Sequence, residues 1–265
     1  MPNRFERLEF EDETPRVHQE QVRREETGVL GAAPMERHAY HERAVQAFHR
    51  GDFEQAMRYF TRTLELDRAF VPAWVGQVQM LIEMDELREA DLWADKALAL
   101  FREHGDLLAA RAVAKARLRE PQAAMACSDA AIAARGSSAY RWLSRGEVLL
   151  ATDGGQGAAC FDRALLEPDA DWFTRLWVAR IYRRYGRFTN ALVEARQATE
   201  NAPQMPYAWY IRGLCERDLA IGEASRSLGR ALELDSGFTL ARAALRAPPE
   251  TSWLRRWLRR VRAGK

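Results

Sequence analysis

The chain has 265 residues, 47% of them hydrophobic, and a formal charge of +2 from 40 basic and 38 acidic side chains. That length and apolar share can bury a sizeable core, and so balanced a charge sets no demand for a nucleic-acid partner. No stretch approaches the roughly 20 consecutive apolar residues of a membrane span, and Cys127, Cys160 and Cys215 are too scattered for a disulfide framework or a CxxC site.

Residues 1–34 carry no repeat and are predicted to be an acidic, flexible extension. Phe5, Glu6, Leu8, Glu9, Phe10, Glu11, Asp12 and Glu13 combine carboxylates with aromatic rings, and Thr27 to Pro34 reads as a linker. Met1 to Phe10 holds no apolar run of signal-peptide length. With the unpaired cysteines, this predicts a cytoplasmic protein. Basic side chains are almost all arginine, Lys96, Lys115 and Lys265 being the only lysines, a skew expected of a GC-rich bacterial genome.

From residue 35 to 247 small and bulky apolar residues recur at helical spacing with a period of about 34 residues. Gly51, Phe53, Ala56, Phe60 and Leu64 open the series, and Trp74, Leu81, Leu87, Ala90, Ala94 and Ala97 continue it. Between Gly105 and Arg135 the frame is open: either Ala123, Cys127 and Ala130 or Ala124, Ser128 and Ala131 fill the small positions. In the next copy Trp142, Gly146 and Leu149 precede a second helix, marked by Gly157, Phe161 and Ala164, that starts one residue early. The irregularity falls in the turn 153–157, where an indel costs little. The clearest copy has Ala179, Tyr182, Gly186, Phe188, Ala191, Ala195, Ala198 and Pro203, and the last, slipped near Ala220 to Gly222, has Trp209, Gly213, Ala224, Leu228 and Ala231. Gly237 to Arg246 reads as a solitary capping helix, which Pro248-Pro249 ends. No period-two alternation supports a sheet, so the fold class is all-α.

Small residues act as holes and aromatic or leucine side chains as knobs, and no single pair of helices buries its knobs alone. The pattern resembles the tetratricopeptide repeat (TPR) family. That resemblance implies a right-handed α-solenoid of about six helix-turn-helix units plus a cap, whose first helices line a concave surface. Carried over by position, the peptide-binding residues are Tyr140, Phe173, Arg180, Arg184, Tyr207, Tyr210 and Arg217. Aromatic and arginine side chains suit such a surface because they join large contact area to directed hydrogen bonds. The chaperone-tail-binding carboxylate clamp of the family is absent, since its places hold His41, Val45 and Gly76. The implied function is therefore a scaffold or adaptor that binds a protein or peptide, one bearing acidic and aromatic residues. The N-terminal segment is itself a candidate ligand by self-contact.

No catalytic set, cofactor motif or metal site is evident, and an enzyme is not expected. His38, His41 and His49 lie at helical spacing but read as surface histidines rather than ligands. Residues 248–265 form a separate element. Trp253, Leu254, Trp257, Leu258 and Val261 share one helical face, and Arg255, Arg256, Arg259, Arg260 and Arg262 fill the remainder. This basic amphipathic helix either docks on the last repeat or meets an anionic membrane surface or acidic groove, with nucleic acid third. Lipid binding would make the protein a peripheral adaptor at the inner face of the membrane.

Overall fold

The computed structural model describes residues 32–152 and 157–247. The acidic extension, the turn 153–156 and the tail helix with Trp253, Arg255, Arg256, Trp257 and Arg259 lie outside the described residues. Among those described there are thirteen α-helices and no strand. They form six antiparallel pairs: α1 (Ala32–His49) with α2 (Phe53–Leu66), α3 (Val71–Glu83) with α4 (Leu87–Leu100), and α5 (Gly105–Arg117) with α6 (Pro121–Ala133). The series continues with α7 (Ala139–Thr152) and α8 (Ala158–Ala164), α9 (Trp172–Arg184) and α10 (Phe188–Asn201), and α11 (Pro206–Asp218) and α12 (Ala224–Leu234). A final helix, α13 (Thr239–Arg246), packs against α12. Helix α1 begins at Ala32, so the last residues of the expected linker are helical.

The period is written into the backbone. Gly51, Asp85 and Arg119 lie 34 residues apart and all have positive φ, as do Gly186 and Ala220, again 34 apart. Each closes the turn inside a pair. The residue after each donates its N–H five residues back, from Asp52 to Ala47, Glu86 to Leu81, Glu120 to Lys115, Arg187 to Tyr182 and Ile221 to Glu216, at 2.8–3.0 Å. These are Schellman bonds, which satisfy carbonyls that a helix end would leave bare. Only two of these five left-handed positions are glycine, so the geometry is imposed by the fold as well as by residue choice.

Counting from these turns settles the open frame. Ala56, Ala90, Ala124 and Ala191 each stand five residues after the left-handed position and are completely buried. Ala124, Ser128 and Ala131 are therefore the small positions of α6, and all three are buried. In the last pair Leu228 and Ala231 stand one residue nearer their turn than the corresponding residues elsewhere. The expected slip is a deletion between turn and second helix, and knob and hole still meet. A Cβ on Gly213 would lie 2.7 Å from Leu228, and one on Gly146 would overlap the Phe161 ring.

Linkers between pairs use side chains as caps. The indole of Trp74 donates to the Arg68 carbonyl and that of Trp209 to the Pro203 carbonyl, both at 2.8 Å, from the fourth residue of their helices. Between α6 and α7 a buried arginine takes this role. Arg141 donates to the carbonyls of Ala134, Arg135 and Gly136 at 3.2, 3.0 and 2.8 Å, and its Nε bonds Asp106 at 2.8 Å.

Candidate functional site

The first helices of successive pairs face inward, and their polar side chains meet in a buried charge cluster. Glu83 ends α3, Arg117 ends α5, Glu147 lies on α7 and Arg180 on α9. The side chains of Glu83, Arg117 and Glu147 are 3–6% exposed. Such charges survive burial only when paired and hydrogen-bonded. Arg117 Nε donates to Glu147 at 2.7 Å, and Arg117 Nη1 donates to the Ile82 carbonyl at 2.9 Å. The Tyr185 hydroxyl bonds Glu147 at 3.3 Å, and Arg180 bonds Glu83. Burial pushes the Glu83 carboxyl up, but the charges of Arg180, Arg117 and Arg184 outweigh it and hold the group below the usual carboxylate range. Glu83 is thus ionised at neutral pH.

The Arg180–Glu83 pair joins residues 97 apart in the chain, and Arg184 meets Asp85 at 3.5 Å across 99 residues. These contacts close the interior of the solenoid. Aromatic rings close it further. Phe48, at the end of α1, lies 4.7 Å from Phe173 and 5.1 Å from Trp177, both edge-on. His49 stacks on Phe173 at 4.4 Å, and Phe53, at the start of α2, meets Tyr207 edge-on at 6.3 Å. The Arg180 guanidinium stands 5.0 Å over Phe53 and 5.7 Å over Tyr207. Gly51 rests on Tyr207 so closely that a Cβ would overlap the ring. The first pair of the stack therefore lies against the fifth and sixth.

This arrangement decides where each expected binding residue stands. Phe173 and Tyr207 are buried, each 3% exposed, beneath residues of the first pair rather than open to solvent. Burial pushes the Tyr207 hydroxyl up to about 12. Arg180 is engaged by Glu83, while Arg184 is the exposed member of the set. Tyr210 is half-buried, stacked 6.0 Å from Tyr207 and edge-on to Phe238. Tyr140 is half-buried beside Trp177, at 5.3 Å. Arg217 turns instead to α13, donating to the Ala244 carbonyl at 3.1 Å and fastening the cap.

What stays open is a cleft of about 300 Å³ beside the closing contact. Arg183, Arg184, Arg180, Tyr210, Leu214 and Leu240 line it, so its wall is basic and aromatic. Arg183 is anchored to Asp218 at 2.6 Å. A second opening of about 230 Å³ lies toward the N-terminal pairs, between His41, Phe60, Pro72 and His104.

The surface reading of the histidines needs correction. His38 is exposed, but His41 packs edge-on to Phe70 at 5.1 Å and His49 is the stacked partner of Phe173. Burial lowers the pKa of both. Among the described residues no group of three or more His, Cys, Asp or Glu side chains could hold a metal ion, and no helix is long and apolar enough to cross a membrane. The residues that sequence reasoning missed are Phe48, His49, Glu83, Asp85, Arg117 and Trp177. Charge at the ends of α3 and α5 is a local signal for Glu83 and Arg117, and α9 and α11 end in charged residues too.

No family model and no curated protein matches the chain. Solved structures do. A thermophilic TPR protein of Thermus thermophilus aligns at TM-score 0.52 and 19% identity, over 70% of this chain and 100% of that one. The Cut9–Hcn1 hetero-tetramer of the APC/C aligns at 0.50 and 16%, over 88% of this chain and 46% of that one. YrrB, a TPR protein with an unusual peptide-binding site, aligns at 0.42 and 20%, over 71% and 98%. Six helix pairs, turns that recur at 34 residues on either side of the fourth pair, and superposition on the solved Thermus thermophilus TPR protein make this chain an all-α solenoid of the tetratricopeptide-repeat fold.

Proposed function

We propose that the chain is a non-enzymatic scaffold that binds a peptide or protein partner on the concave face of its C-terminal half. The observation that carries this reading is the open cleft lined by Arg183, Arg184 and Tyr210. A repeat stack of this kind presents a preformed surface, so a partner orders little of the protein when it binds. The wall offers guanidinium groups for carboxylates and ring faces for an apolar or aromatic side chain. An acidic, aromatic peptide is the complementary ligand. The segment 5–13, FERLEFEDE, has that composition and serves as a probe.

Fluorescence anisotropy with this labelled nonapeptide tests the reading. Arg184→Glu combined with Tyr210→Ala is expected to weaken binding about tenfold or more, the loss typical of removing central anchors. Equal affinity for variant and parent would remove the concave face as the binding site. The alternative, a peripheral adaptor held to an anionic membrane, rests on Trp253 and Trp257 with Arg255, Arg256 and Arg259 in the tail. Flotation with anionic liposomes that depends on residues 248–265 would favour it.

A further inference from the structure

The contact that closes the solenoid has the composition of a bound ligand. It consists of a short turn, Phe48 to Phe53, that inserts rings between Phe173, Trp177 and Tyr207, and of two carboxylates, Glu83 and Asp85, aimed at Arg180 and Arg184. Packing elsewhere in the stack runs between helices adjacent in the chain or one repeat apart, whereas these rings carry the first pair to the fifth and sixth, and these carboxylates carry the second pair to the fifth, across the interior. The first two pairs and the fifth and sixth thus meet without a continuous helix–helix seam.

Three features distinguish this contact from an ordinary core. Its polar part is incomplete, because Arg180 Nη1 is buried with no hydrogen-bond partner while Nη2 is held by Glu83. A carboxylate placed squarely on Arg180 would use both arms of the fork. Its outer ion pair is weak, since Asp85 is 68% exposed and 3.5 Å from Arg184. It also borders directly on the open cleft, whose lining includes Phe53, Glu83, Arg180, Arg184 and Tyr207 from both sides of the contact.

We infer that the Phe48–Phe53 turn and the Glu83–Asp85 corner are a built-in self-ligand that covers the partner's surface. The partner has matching chemistry: an extended acidic peptide that lays an aromatic side chain on Phe173 and Trp177 and a carboxylate on Arg180. It displaces the turn as it enters from the cleft. The inference rests on the concave-face reading above and adds to it a competitor and a ligand pattern. Affinity is then reduced by the fraction of molecules that are closed, and any change that opens the contact strengthens binding in proportion.

The test uses the full chain and the labelled nonapeptide FERLEFEDE. Glu83→Gln with Asp85→Asn removes the inserted carboxylates and leaves Arg180 and Arg184 in place; Phe48→Ala with His49→Ala removes the inserted rings. Both variants are expected to show a larger radius of gyration by small-angle X-ray scattering and about tenfold tighter peptide binding. Opening without tighter binding would overturn the self-ligand, as would a scattering profile unchanged from the parent. If the Phe48 variant loses its helical circular dichroism, the near-isosteric Gln/Asn variant decides alone. Peptide binding by the parent that the opened variants do not improve sinks only this inference. No binding by the parent or by any opened variant sinks the concave-face reading as well.

Discussion

At the scale of single residues, the solenoid is governed by the backbone at five turns. Gly51 and Gly186 adopt positive φ freely, but Asp85, Arg119 and Ala220 do so with a Cβ. The left-handed conformation costs an L-residue roughly 1–2 kcal/mol, and glycine returns about 0.5–1 kcal/mol of that through its looser unfolded chain. Ala220 is exposed, so its methyl group contributes little burial. Ala220→Gly is therefore expected to stabilise the protein by about 0.5–1 kcal/mol in urea unfolding. A lower midpoint would mean that the strain is smaller than the entropy difference.

Elements are joined by a few side chains whose loss cannot be absorbed locally. Arg141 is the strongest case, because one buried guanidinium holds three carbonyls at the end of α6 and the carboxylate of Asp106 on α5. Gly105 leaves the space for it, since a Cβ there would overlap the guanidinium carbon. Arg141→Ala leaves those carbonyls without a donor and Asp106 with the Ser138 hydroxyl in place of a guanidinium, and is expected to cost about 3 kcal/mol. Arg141→Lys should recover less than half of the loss, because a single ammonium cannot reproduce the fork. Chemical denaturation of the two variants measures both numbers. Equal stability for Ala and Lys would show that packing of the stem, not the hydrogen bonds, sets the cost.

The whole molecule is expected to respond to pH through its closing contact. His49 is held below its ordinary pKa by burial, which the nearby charge of Asp171 only partly offsets. The ring stacks on Phe173, and its burial there favours the neutral form. When the contact opens, His49 regains its ordinary affinity for a proton, so the open form binds more protons and closure weakens as pH falls below about 6.5. Glu83 acts lower on the scale. Burial pushes it up, the charges of Arg180, Arg117 and Arg184 win, and closure gains from its ionisation above the ordinary carboxylate range. That gain is lost as pH falls through the depressed pKa. The radius of gyration is expected to rise in two stages between about pH 7 and pH 3, with His49→Phe removing the upper stage and Glu83→Gln the lower. A flat profile in the parent protein would show that closure does not depend on either group.

Much of this molecule was legible in the chain itself, and the reasons are local. Phe60 with Gly76, Phe161 with Gly146 and Leu228 with Gly213 are knob and hole at short sequence separation, so their spacing announces the fold. The ambiguous frame at α6 yielded only to the backbone, since an alanine-rich helix offers small residues on every face and composition cannot say which one is buried. The candidate site was legible in part. Phe173, Arg180 and Tyr207 do lie on inward-facing helices, and nothing in their own repeats reveals that Phe48, Glu83 and Gly51 come to rest on them. By itself the sequence determined the helices, their pairing and their period, because those depend on contacts within about one repeat. Only the tertiary structure decided that the first pair closes on the fifth and sixth. That meeting is the sum of small rotations over several repeats, and no single residue encodes a sum.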